Sequence, residues 1–165
     1  MPKSLFLLCP TDCLEPIINS RFHKENYFYT SLGNSFIYNR KTIKHIHKLI
    51  KKHQIEEIYF VLSSDNQIIL DALGNQDFSN FKALNRFYND INKHTAHLDT
   101  IWHSSSLKFS IISYYLNRKI KLLQSEIDKN FDYQIKIRGK IYDKQDHVFT
   151  AIYSDLISIE KHHLN

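Results

Sequence analysis

Cysteine is scarce in this chain, with Cys9 and Cys13 the whole supply in 165 residues. Two thiols are too few for the disulfide framework that staples small secreted domains, so the composition points to a reducing compartment and a cytoplasmic protein. Long apolar stretches are missing as well: nowhere do about 18 apolar residues run together, which excludes an ordinary membrane-spanning helix and any membrane partner of that kind. Residues 3–9 have the outline of a lipoprotein signal, but their apolar run is shorter than the roughly 7 to 15 residues of an h-region, and they are read as a first strand. There is no long basic block, internal repeat, linker or low-complexity segment. The Gly-x-Ser-x-Gly elbow of serine hydrolases is also absent, and neither Ser63 nor Ser64 has an assignable histidine base.

What is present is an ordinary globular composition, 42% hydrophobic and 13% aromatic, enough for one good core and one domain spanning residues 1–165. The formal charge of +5, from 22 Lys and Arg against 17 Asp and Glu, permits weak attraction to anions and indicates no particular partner.

Residues 4–9 and 56–62 are continuous apolar runs of strand length, the pattern of strands covered on both faces by helices. Tyr27-Phe28-Tyr29-Thr30 is a third strand, ending at Gly33-Asn34. Thr42 is placed to cap a helix whose Ile43, Ile46, Leu49 and Ile50 share one face, with Lys44, Lys48, Lys51 and Lys52 mostly outside it. After Asn66, Ile68, Ile69, Leu70, Ala72 and Leu73 form a short buried helix that Gly74-Asn75 would end. Residues 77–102 mix aromatics with Asn and His and give no clear period. Ser104 to Ser106 then cap a long helix in which Phe109, Ile112, Leu116, Ile120 and Leu123 recur at spacings of three and four. Residues 134–142 alternate, Ile135 and Ile137 against Lys136 and Arg138, and pair through Lys144-Gln145-Asp146 with residues 147–153 to give an antiparallel edge. Residues 154–165 read as a short polar helix. The expected fold is α/β in three layers: a mostly parallel sheet of about four parallel strands plus an antiparallel edge strand, flanked by helices.

In such sheets, ligands gather outside the carboxyl ends of the strands, which directs attention to Pro10-Thr11-Asp12-Cys13 and Ser63-Ser64-Asp65-Asn66. In order and separation these turns resemble those of the β-class carbonic anhydrases, with a first-strand motif Cys-x-Asp-x-Arg and a third-strand motif His-x-x-Cys. Ser31-Leu32-Gly33-Asn34 is similar to that family's Asn-Ala-Gly-Asn turn, and Gly139-Lys140-Ile141-Tyr142-Asp143 to its Gly-x-x-Tyr-Asp strand. The resemblance runs from Leu5 to about Tyr153. It keeps the motif aspartate as Asp12 but puts Pro10 and Asn66 where the family has its zinc cysteines, Ser63 at the zinc histidine and Leu14 at the arginine. Gln67 stands where a glycine usually follows the second motif. The sequence before Leu5 is short for the helical arm that the family wraps around a neighbouring subunit, so its dimer is not carried over directly.

A catalytic zinc needs about three nitrogen or sulfur ligands and an open position for water. Proline has no donor, and serine and asparagine are poor zinc ligands. The resemblance therefore implies a divergent relative without zinc, with no cofactor and no catalytic residue assigned, that does not hydrate carbon dioxide. The candidate pocket comprises Thr11, Asp12, Gly33, Asn34, Ser63, Ser64, Asp65 and Asn66. It is polar and suited to a small anion or neutral polar molecule, with a protein partner or a retained homodimer as further expectations. Asp12 as a general acid or base in a remodelled, metal-free pocket is the alternative.

Plainer roles stand beside these. Asp12 and Glu15 have capping-box spacing, so Asp12 is expected to cap the following helix, with Pro16 complicating its first turn; Ser63, Ser64 and Asp65 have the same role before the helix near Asn66. Cys9 lies one residue out of register with the lost ligand position, and both cysteines are expected to be small buried residues rather than a redox pair. The histidine pairs His45/His47, His94/His97 and His162/His163 lack an evident Cys or carboxylate partner and read as surface or partly buried groups. Lysines on the outer face of the helix at residues 44–53 are ordinarily solvated, with nucleic-acid binding the less favoured reading.

Overall fold

The computed structural model describes residues 2–98 and 104–153. Its centre is a five-stranded sheet in the order β2-β1-β3-β4-β5. Strands β1 (Ser4–Leu8), β2 (Asn26–Thr30), β3 (Glu57–Ser63) and β4 (Lys136–Asp143) run parallel, and β5 (Val148–Ala151) closes the edge antiparallel to β4. The helices are α1 (Glu15–Arg21), α2 (Arg40–His53), α3 (Gln67–Leu73), α4 (Lys82–Leu98) and α5 (Ser104–Asp128). Short 3-10 turns, Pro10–Asp12 and Leu32–Asn34, leave β1 and β2.

The apolar strands are explained by what covers them. Alternate side chains point to opposite faces, so Leu5, Leu7, Ile58, Phe60, Leu62 and Ile141 join a core with α2, α3, α4 and α5. Phe6, Leu8, Tyr59, Val61 and Tyr142 pack on the other face with Leu14 and Ile18 at the start of α1. Strands buried on both sides need no polar alternation, as the continuous runs predict. In α2, Ile43, Ile46 and Ile50 form the buried stripe, each contributing about 1.5–3 kcal/mol on full burial.

Three local expectations are corrected. The cap of α2 is Asn39, whose carboxamide oxygen accepts the Thr42 N–H at 2.9 Å, so Thr42 lies inside the first turn. The stretch without a clear period contains α4, in which Leu84, Phe87, Tyr88 and Ile91 are buried at helical spacing. Cys13 is exposed, not buried, and takes a left-handed conformation (φ 52°) at the end of the first 3-10 turn. The tail and the side chains of His94, His97, His162 and His163 lie outside the described residues. Among the described residues no helix is long and apolar enough to cross a membrane.

Candidate functional site

The carboxyl ends of β1 and β3 lie side by side because Leu8 and Val61 are register partners. From there the chain turns sharply twice, and Asp12 closes the gap between the turns. Its Oδ2 accepts the backbone N–H of Ser63 at 2.9 Å and its Oδ1 accepts Nδ2 of Asn66 at 2.8 Å. The side chain is only 4% exposed. Burial pushes its carboxyl above the usual carboxylate range, opposed by those two hydrogen bonds and by the charge of Lys144.

Asn66 is fully occupied. While its amide nitrogen serves Asp12, its carbonyl oxygen accepts the N–H groups of Ile68 and Ile69, each at 3.0 Å, and caps α3. This corrects both capping expectations. Asn66 itself, not Ser63, Ser64 or Asp65, caps α3. Helix α1 starts after Leu14 without a side-chain cap, so Asp12 does not cap it. A carboxylate three residues ahead of that start finds better donors on the neighbouring turn, where two buried groups would otherwise go unpaired.

The remaining candidates surround this link. Ser63 is buried and its hydroxyl donates to Asp65, which also pairs with Lys144 at 3.3 Å. Although burial pushes the Asp65 carboxyl up, the Ser63 hydroxyl and the Lys144 ammonium hold it below its ordinary range. Ser64 donates its N–H to the carbonyl of Tyr142 at 2.8 Å, extending the β3–β4 ladder. Gly33 takes a left-handed conformation (φ 58°), which lets its N–H donate to the Cys9 sulfur at 3.0 Å, and its carbonyl accepts the Tyr115 hydroxyl at 2.9 Å. Asn34 is buried and donates to the carbonyl of Val61 at 2.8 Å. Thr11 is exposed, with its hydroxyl 3.0 Å from Cys9 Sγ.

The eight residues are thus held around one end of the sheet, in two layers. Asp12, Gly33, Asn34, Ser63 and Asn66 are buried beneath, whereas Thr11, Ser64 and Asp65 form the accessible rim. Reading the turns alone overlooked Lys144, Tyr142, Tyr115 and the packing role of Cys9. The only hint of Lys144 was its place in the hairpin turn facing Asp65, visible once β3 and β4 are known to be neighbours.

Solved structures give the same fold. The β-carbonic anhydrase CafD of Aspergillus fumigatus matches with a TM-score of 0.73 over 93% of this chain and 90% of that one, at 16% identity. CafA, a β-carbonic anhydrase of the same fungus, matches with a TM-score of 0.71 over 99% of this chain and 81% of that one, at 14% identity. A tetrameric β-carbonic anhydrase from Sordaria macrospora gives 0.71 over 91% and 80%, at 16% identity. No family model matches the sequence, and no curated protein sequence matches it. The resemblance read from the turns is borne out as a shared fold.

The residues at the resemblance's zinc positions do not fit a zinc centre. Pro10 offers no donor, the Ser63 hydroxyl is committed to Asp65, and both ends of the Asn66 carboxamide are spent on Asp12 and α3. Among the described residues, no three His, Cys, Asp or Glu side chains are grouped to hold a metal ion.

Proposed function

We propose that this protein carries the carbonic-anhydrase fold without zinc chemistry and works as a binding module for a small polar molecule, an anion or a protein partner, not as a carbon dioxide hydratase. The observation that carries this reading is the mutual engagement of Asp12 and Asn66: the residues at the resemblance's motif-aspartate and second zinc-cysteine positions are tied to each other here. A ligand arriving at the strand ends meets the rim of Thr11, Ser64, Asp65 and Lys144. The test is carbon dioxide hydration followed by pH change, with zinc supplied and an active β-class enzyme run alongside. The reading expects no rate above buffer; zinc-dependent turnover overturns it.

A second reading keeps Asp12 as a general acid or base, favoured by the upward push that burial gives its carboxyl, the direction an acid at neutral pH requires. Against it stand its 4% exposure and the occupation of both oxygens. Turnover of any polar substrate that is abolished in Asp12→Asn while folding is kept would support that reading.

Self-association and a cytoplasmic site of action belong to the same proposal. The Sordaria macrospora enzymes are tetrameric, and the free thiols of Cys9 and Cys13 suit a reducing compartment. Light scattering on the purified chain distinguishes an oligomer from a monomer.

A further inference from the structure

A second feature lies away from the strand-end turns. Helix α2 and the end of α5 flank an open groove of about 990 Å³, lined on the α2 side by Arg40, Lys44, His47, Lys48, Lys51 and Lys52. Glu126 and Asn130 form the opposite bank, with Tyr38 and Ile43 also in the lining. Five permanent cations thus face one carboxylate, and Glu126 is already paired with Lys129 at 2.9 Å. None of the five forms an ion pair among the described residues. The cations follow a regular order. Arg40, Lys44, Lys48 and Lys52 are four residues apart, so neighbouring charges step about 6 Å along the helix, a spacing that matches successive phosphates of an extended strand.

We propose that this groove binds a single strand of nucleic acid through its phosphodiester backbone. Lysines are mobile point charges suited to phosphates without sequence reading. The half-buried Tyr38 ring gives the lining an apolar part that bases can contact. His47 adds a reporter: its Nε2 is buried without a hydrogen-bond partner among the described residues, and its ring stands edge-on to Phe131 at 5.1 Å. Burial and the charge of Lys51 hold its pKa down, while Glu126 acts the other way. An anion in the groove would raise it. This inference does not depend on the zinc reading, and either can fail alone.

The test is fluorescence anisotropy with labelled oligothymidylate and oligouridylate twelve-mers across a salt series. Single-strand binding is expected to weaken with salt. The triple variant Lys44→Gln, Lys48→Gln, Lys52→Gln should reduce affinity at least tenfold and lower the log–log salt slope by about 2, at about 0.7 per lost phosphate contact. Lys82→Gln with Lys93→Gln, exposed lysines on α4, should leave binding unchanged, and the His47 ring resonances should shift on titration. These lysines are on the surface, so thermal midpoints should be retained. The proposal is overturned by no binding at low salt, by equal loss in the α4 control, by duplex binding as tightly as single strand, or by polyglutamate competing as well as an oligonucleotide of equal charge. The last result would make the groove a site for an acidic protein.

Discussion

Asn66 donates from its side-chain nitrogen to Asp12 across 2.8 Å while its side-chain oxygen caps α3, so one carboxamide joins the turn after β1 to the helix after β3. Asp12 completes the link by holding the Ser63 N–H at 2.9 Å. Asp12→Ala leaves two buried donors unpaired and is expected to cost about 2–6 kcal/mol, at about 1–3 kcal/mol for each group stranded without a partner. Asn66→Ala removes the cap, about 1 kcal/mol, and strands one carboxylate oxygen. Urea unfolding of both single variants and the double variant should give a coupling of about 1–3 kcal/mol. Additive losses would mean that the two side chains act separately.

Lys119 supplies a pH dependence. It is 7% exposed, donates to the carbonyl of Phe36 at 3.2 Å, and lies over the rings of Tyr38 and Tyr115. Burial lowers its pKa from 10.5 to about 8, with Asp90 opposing and Arg86 and Arg118 assisting. For a base whose folded pKa is depressed, the stabilising contribution is complete above the unfolded pKa and is lost as pH falls through the folded one. The stability of the wild type relative to Lys119→Met should therefore rise between about pH 8 and pH 10.5, by about 3 kcal/mol in full, and be flat below pH 8. Parallel curves for the two proteins across this window would contradict the burial of a charge at Lys119.

Gly33 is needed for its conformation as well as its size. A Cβ there would sit in the left-handed region at φ 58° and 3.0 Å from Cγ2 of Ile68. Gly33→Ala should cost about 1–2 kcal/mol from backbone strain alone, more if Ile68 cannot shift, and should loosen the N–H contact with the Cys9 sulfur. Denaturant midpoints compared with those of Gly33→Asn, whose side chain tolerates the left-handed region better, separate the backbone strain from the contact with Ile68.

Much of the fold was legible because burial on both faces writes itself as uninterrupted apolar runs. Residues 4–9 and 56–62 mark the central strands, and the isoleucine stripe of α2 has the period of a helix. The buried positions of α4, Leu84, Phe87, Tyr88 and Ile91, carried the same signal but were diluted by Asn85, Arg86, Asn89 and Asp90 between them. The candidate site was legible in place but not in wiring. The capping-box spacing of Asp12 and Glu15 is a local pattern, whereas the partners of Asp12 are Ser63 and Asn66, more than 50 residues away. Nothing local distinguishes a carboxylate that caps its own helix from one that crosses to the next turn; the strand register decides it. Thr42 was displaced as a cap for a simpler reason, since Asn39 three residues earlier accepts the Thr42 N–H and starts the helix there, leaving Thr42 inside its first turn.

The central claim is that the strand ends are closed by Asp12 and Asn66 and do not form a zinc centre. Its most direct test is equilibrium dialysis of the untagged wild-type chain against zinc, followed by metal analysis after exchange into chelator-free buffer. The account predicts no stoichiometric zinc retained, and identical weak uptake by wild type, Asp12→Ala and Cys9→Ala. One zinc per chain that survives exchange and is lost in either variant would contradict it, because it would place a metal where the structure has a hydrogen-bonded link.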